Sequence, residues 1–461
     1  MILGPAGMGI TGMLTTSTGL VNSLTNCGLH TSAVRSIAKA TNSDDKKQVG
    51  IVISTLRKLI LITGLLGTII TFFGAPYLSK FAFDSYEYTL SFRFISVILF
   101  LDQLTLGNTA LMQGTFHYKY LSLSSLVGSV IGLLISVPMF YIWEVKAIVP
   151  VIIVTSLMHY LLTWWYARKI DIPKVKLTKD LFKQEAKIML ALGLALAGTG
   201  LLGNIQPYFL RTFISNIGSL EDVGIYTAGI SIATQYINVI LQSMGTDYSP
   251  RLAAISENRE EFIEVVNRQT KLMLTIVTPL VIPFIVFIRQ LTILLYSEKF
   301  IAVSDMIEWM MVGMFFRTAS WCLSYSIVAR GKSAKFFWNE TANVIIMFFM
   351  TIAGYKYFSF TGMGVAFCLG YVIYTIQMLI LAKRDFQYKM SADVKKVSFT
   401  LLLLLVITVI GLKVTSYTLA RYIFGTIMTI LVGFVAYHYL NEMIPVKQSI
   451  KNFASRFKKR K

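Results

Sequence analysis

GITGMLTTSTGLVNSLTNCGLHTSAVR, residues 9–35, and GIYTAGISIATQYINVILQSMGTDYSPR, residues 224–251, are two copies of one pattern. Gly9-Ile10 matches Gly224-Ile225. Thr15, Thr18, Asn22, Asn26 and Arg35 then match Ser231, Thr234, Asn238, Gln242 and Arg251, each at an offset of 216. A second block, Leu111-Met112-Gln113-Gly114, matches Val328-Ala329-Arg330-Gly331 at an offset of 217. The register holds across a long apolar stretch, so the chain reads as a duplicated unit. Many secondary transporters are built this way, with the substrate path between the copies.

Composition sets the environment. The chain is 55% hydrophobic and 14% charged, against roughly 25% charged for a soluble domain. Runs of about 20 apolar residues are long enough to cross a bilayer as helix. The runs predict about thirteen spans: 7–29, 51–73, 91–113, 120–142, 147–167, 188–214, 223–245, 271–295, 303–329, 337–357, 361–382, 397–417 and 420–440. Backbone in hydrocarbon must satisfy its own hydrogen bonds, and these runs are too long for strands. The expected class is therefore an all-α polytopic membrane protein.

The net charge of +20 is not spread as a nucleic-acid surface would be. Lys80, Lys146, Lys299, Lys356, Lys413 and Arg421 fall in one set of connections. Arg93, Arg211, Arg289 and Arg317 fall inside or at the ends of spans. The remaining basic residues lie in the alternate connections and the tail. This positive-inside asymmetry places those connections and the C-terminus in the cytoplasm. Nucleic acid is excluded as a partner. The tail from Val446 fits a topology signal among anionic lipid headgroups, or a docking segment for a partner. Cys27, Cys322 and Cys368 read as small core residues with no disulfide expected. His30, His117, His159 and His438 lack metal-ligand spacing, so no metal or cofactor is expected. No hydrolase motif or long outward loop speaks for an enzyme.

The repeat divides the chain. Residues 1–167 form an N-terminal lobe, 168–187 a basic cytoplasmic linker, and 188–382 a C-terminal lobe. An appended hairpin at 397–440 and a basic tail at 441–461 follow. The linker is expected to be an amphipathic surface helix. The repeat partner of 188–214 would lie before Met1, so the first helix of lobe one is absent from this sequence. Gly198, Gly200, Gly203 and Pro207 suggest that 188–214 is kinked or broken.

Polar residues inside spans locate candidate function, because unsatisfied polar groups in hydrocarbon are costly. Thr11, Thr15, Thr18, Asn22 and Thr25 share one helix face; Ser231, Thr234, Asn238 and Gln242 are its counterpart. Asp102, Thr105, Thr109 and Gln113 form another stripe. These stripes fit an aqueous cavity or interhelical hydrogen bonding. Arg211 and Arg317 fit a cationic cavity for an anionic, phosphate-bearing substrate, since guanidinium matches phosphate oxygens. They also fit buried ion pairs, for Arg317 with Asp102 or Glu308. Trp321, on the face of Arg317, could stack on a sugar or simply pack. Arg35 and Arg251 read as membrane anchors or as a paired inner gate.

The segments Leu3-Gly4-Pro5-Ala6-Gly7-x-Gly9, Ser32-Ala33-Val34-Arg35-Ser36-Ile37-Ala38, Val223-Gly224-Ile225-Tyr226 and Met244 to Leu252 carry a resemblance. The chain resembles polysaccharide flippases of the multidrug/oligosaccharidyl-lipid/polysaccharide exporter superfamily, most of all Wzx-type O-antigen translocases. The resemblance implies two six-helix lobes in a V around a central cavity, with alternating access. It implies an inner-membrane flippase for an undecaprenyl-diphosphate-linked oligosaccharide, such as an O-antigen repeat unit. On that reading Arg211 and Arg317 bind the diphosphate. Asn22, Asn238, Gln242 and Trp321 contact the sugars, and Asp102 and Glu308 couple an ion. Polysaccharide polymerase and other assembly proteins are the further partners it allows. The rival is a multidrug or cation antiporter of the same superfamily.

Overall fold

The computed structural model describes residues 3–43, 45–173, 175–415 and 418–443. Among them every regular element is helical: α1 Gly4–Thr25, α2 Leu29–Asn42, α3 Lys46–Phe83, α4 Thr89–Gly114, α5 Tyr118–Trp143, α6 Ile148–Ala167, α7 Lys179–Ile217, α8 Leu220–Ala254, α9 Arg259–Leu295, α10 Ser304–Ala329, α11 Ser333–Phe386, α12 Ala392–Val414 and α13 Thr418–Met443, with two short 3-10 turns. Each of the thirteen expected spans lies for most of its length on one of these helices. α11 holds two of them, because its backbone breaks at Phe358 and Ser359.

Among the described residues, eight helical stretches are long and apolar enough to cross a membrane, and two of them, Tyr118–Ala167 and Ala334–Phe386, each carry two expected spans. The other three expected spans lie on α1, α7 and α10, which hold the threonine stripe, Arg211 and Arg317. Apolar side chains such as Leu133, Leu134 and Tyr141 are 63%, 66% and 79% exposed. That much exposed apolar surface suits lipid, not water. The protein is a multi-pass membrane protein.

The chain forms two compact units, Met1–Gly224 and Ile225–Lys461. In the first, α2, α3, α4 and the start of α7 enclose a core around Leu29, Ile37, Leu56 and Met189. Asp45 caps α3, accepting from the backbone N–H of Lys47 and Gln48. Its 38 residues rise about 57 Å, well beyond the hydrocarbon thickness. In the second unit, the core gathers Tyr248, Phe262, Leu323, Tyr374 and Phe386. The appended hairpin α12–α13 packs against α9. There Tyr422 stacks on Phe287 at 6.0 Å.

Three local expectations change. The helix beginning at α1 does not continue to residue 29; it stops at Thr25, and α2 restarts after Gly28. Gly28 has φ +64°, and a Cβ there would sit 2.1 Å from the carbonyl oxygen of Gly193 on α7. The turn and the close helix approach both require glycine. The stretch 168–187 is not a separate surface helix. Among its described residues those before Lys179 form no helix or strand, and from Lys179 it forms the opening turns of α7, capped by Thr178. α7 is also unbroken through Gly198, Gly200, Gly203 and Pro207, so packing overrides the weak helix propensity of those residues. α7 lies against α1, α2 and α3, within the first unit, whereas the repeat counts it at the head of the second lobe. The basic tail, from Ile444 onward, lies outside the described residues.

Candidate functional site

The second unit holds the more informative cluster. Arg317 sits midway along α10, half-buried. Its Nη2 donates to Asn238 Oδ1 on α8 at 2.6 Å. Its Nη1 lies 3.5 Å from Met314 Sδ, and its guanidinium stands 5.8 Å from the centre of the Tyr371 ring. Among the described residues no carboxylate lies within 4 Å of it. The neutral amide and the ring orient the guanidinium without cancelling its charge. Arg317 and Asn238 were both singled out by sequence; Tyr371, which completes the group, was not.

Glu308, offered above as an ion partner for Arg317, instead accepts from Arg421 of α13 at 2.8 Å. Arg421 had been read as a residue of an outward connection. The pair borders a cleft of about 290 Å³ with Asp305, Trp309, Thr361 and Lys413. Lys413 lies over Trp309 at 4.5 Å. Trp321 packs 4.6 Å from the Tyr325 ring and stacks on Tyr248 at 5.9 Å. Gln242 is exposed on α8. Arg251 is exposed, 3.8 Å from Asp247 and hydrogen-bonded to Gln269 at 3.3 Å.

In the first unit, Asn22 of α1 accepts from Gln103 Nε2 of α4 at 2.8 Å. Gln103 Oε1 in turn accepts from Thr63 of α3 at 3.4 Å. Gln103 is buried and escaped the sequence reading, which took its neighbour Asp102 instead. Its signal was a lone amide in an apolar span. Asp102 accepts from Ser156 of α6 at 3.2 Å. Arg211 is half-buried on α7, and Arg35 is exposed on α2. The hydroxyls of Thr11, Thr15, Thr18 and Thr25 donate to carbonyls four residues back on their own helix, at 2.9, 2.8, 2.9 and 3.0 Å. Ser231 and Thr234, on the repeat-equivalent helix, do the same.

Comparison with known proteins agrees with this architecture. Over 341 residues the chain is 24% identical to the lipid III flippase of Escherichia coli K12, covering 71% of this chain and 79% of that protein. Its fold is similar to an inward-facing multidrug resistance MATE transporter of the MOP superfamily, with a TM-score of 0.74 and 17% identity over 86% of this chain and 92% of the other. It is also similar to the lipid II flippase MurJ in an inward closed conformation, with a TM-score of 0.68 and 14% identity over 95% and 96%. The polysaccharide biosynthesis protein family matches residues 2–305, more than half the sequence. The chain belongs to that family.

Proposed function

We propose that this protein is a flippase that carries a lipid-linked oligosaccharide across the bacterial inner membrane by alternating access. The substrate is an undecaprenyl-diphosphate-linked repeat unit of O-antigen or another surface polysaccharide. One observation carries the reading: Arg317, midway along a spanning helix, is held by Asn238 with no carboxylate within 4 Å among the described residues. An arginine near the bilayer centre costs at least about 2.5–3.5 kcal/mol. A neutral hydrogen-bond partner leaves its charge available to an anion, and a diphosphate is such an anion.

In this mechanism Arg317 and Arg211 engage the diphosphate, which leaves water only when it meets them. Asn22, Asn238, Gln242 and Trp321 contact the sugars, while the polyprenyl tail remains in lipid. Arg35 and Arg251 form the inner gate. Asp102 and Glu308 couple transport to an ion. Of these two, Asp102 accepts from a serine hydroxyl, while Glu308 is engaged by Arg421. An ion at Glu308 would therefore have to compete with a guanidinium. The similarity to a lipid III flippase supports a lipid-linked substrate. A drug antiporter would favour a carboxylate where Arg317 stands.

The test is the sidedness of the lipid-linked oligosaccharide in cells lacking the protein. Full-length repeat units should accumulate on the cytoplasmic leaflet. Wild type should clear them, and Arg211→Ala/Arg317→Ala should not. Normal arrival of the glycan lipid at the periplasmic face in the deletion strain would refute the proposal.

A further inference from the structure

A cavity of about 740 Å³ opens within the first unit between α3, α4 and α6. It lies at the ends of these helices that the charge pattern assigns to the cytoplasm. Its walls are apolar, with Ile53, Ile60, Leu61 and Leu104 among them. Arg57 of α3 and Arg168, just past α6, stand at its rim. Both are exposed. The Arg168 guanidinium lies over Trp164 at 4.6 Å. Asp171 borders the same cavity, yet among the described residues neither arginine has a carboxylate within 4 Å.

The geometry points to a binding site for an anionic phospholipid of the cytoplasmic leaflet. Its phosphate sits between Arg57 and Arg168, and an acyl chain lies along Ile60, Leu61 and Leu104. Each part of the cavity then has a use. A basic pocket between spanning helices on the cytoplasmic side is a common setting for acidic headgroups. Trp164 suits the headgroup level, where amphipathic rings gather. Free phosphate would satisfy the rim but leave the apolar walls unmatched. The site shares no residue with the proposed substrate path, so it stands whether or not the flippase reading does.

Titration of the purified full-length protein with phosphatidylglycerol, followed by native mass spectrometry, tests this. Phosphatidylcholine, inorganic phosphate and farnesyl diphosphate serve as the other probes. Phosphatidylglycerol should bind in preference to the rest. Arg57→Ala/Arg168→Ala should weaken it about thirtyfold, that is by about 2 kcal/mol. Lys46→Ala/Lys47→Ala, which removes equal charge nearby, should change it less than about threefold. Leu61→Trp keeps both arginines but fills the cavity, and should also displace the lipid. Equal binding of phosphatidylcholine, or an unchanged affinity in both the arginine and the Leu61 variants, overturns the proposal. So does selective binding of farnesyl diphosphate at these arginines, which would assign the cavity to the substrate.

Discussion

Replacing Arg421 by methionine should destabilise the second unit through a residue more than a hundred positions away. Arg421 Nη2 lies 2.8 Å from Glu308 Oε1, with side chains only 23% and 11% exposed. Removing one partner of a fully buried pair costs about 3–5 kcal/mol, because the remaining charge is left uncompensated. Here the cleft of about 290 Å³ admits solvent, and Lys413 lines it too. Both soften the loss, to about 2–3 kcal/mol. Glu308→Gln/Arg421→Met removes both charges and should return to within about 1 kcal/mol of wild type. Equilibrium unfolding of the micelle-solubilised protein in SDS reads these differences, and the four proteins close a double-mutant cycle. A coupling energy below about 0.5 kcal/mol would refute the reasoning. An Arg421→Met variant as stable as wild type would do the same. In either case Glu308 would be free for an ion after all.

Asn238→Asp puts a carboxylate beside Arg317, where Asn238 Oδ1 now lies at 2.6 Å. It should neutralise the anion site and slow clearance of the lipid-linked oligosaccharide about ten- to a hundredfold, while leaving the fold intact. Normal clearance in that variant would remove Arg317 from the substrate path. Gly28→Ala should cost about 3 kcal/mol, from the left-handed backbone and the 2.1 Å approach to Gly193, summing ordinary strain and overpacking terms. The SDS unfolding midpoint measures it, and a wild-type midpoint would show that the turn between α1 and α2 moves away from α7 at little cost.

Span count and the polar stripes were legible because a bilayer imposes a length and a composition on every crossing segment. What sequence missed depends on which helices meet. Nothing near Arg421 marks it as the partner of Glu308, and nothing near Gln103 marks it as the partner of Asn22. The glycines and Pro207 of α7 signalled a break, yet packing on α1, α2 and α3 keeps that helix whole. Conversely, the interruption after Thr25 carried little signal, since Asn26, Cys27 and Gly28 look like further small residues of the stripe. The basic stretch before α7 read as a linker because charge ends a hydrophobic run. Helical backbone has no such requirement, and from Lys179 the basic stretch is part of α7.

The threonine stripes and the Arg317 cluster obey different physical rules, and the alternating access proposed above would give a reason. A surface that faces water in one state and protein in another cannot rely on donors that only one state satisfies. Thr11, Thr15, Thr18, Ser231 and Thr234 each donate to their own helix. That bond survives whatever faces the residue, so wetting or covering such a stripe costs little. Arg317 is the opposite case. Its hydrogen bond to Asn238 joins α10 to α8 inside one unit, so the charge is held within its own unit. The flippase proposed above would need both: self-satisfied surfaces that can be exposed and closed, and a cation that does not drift when they are.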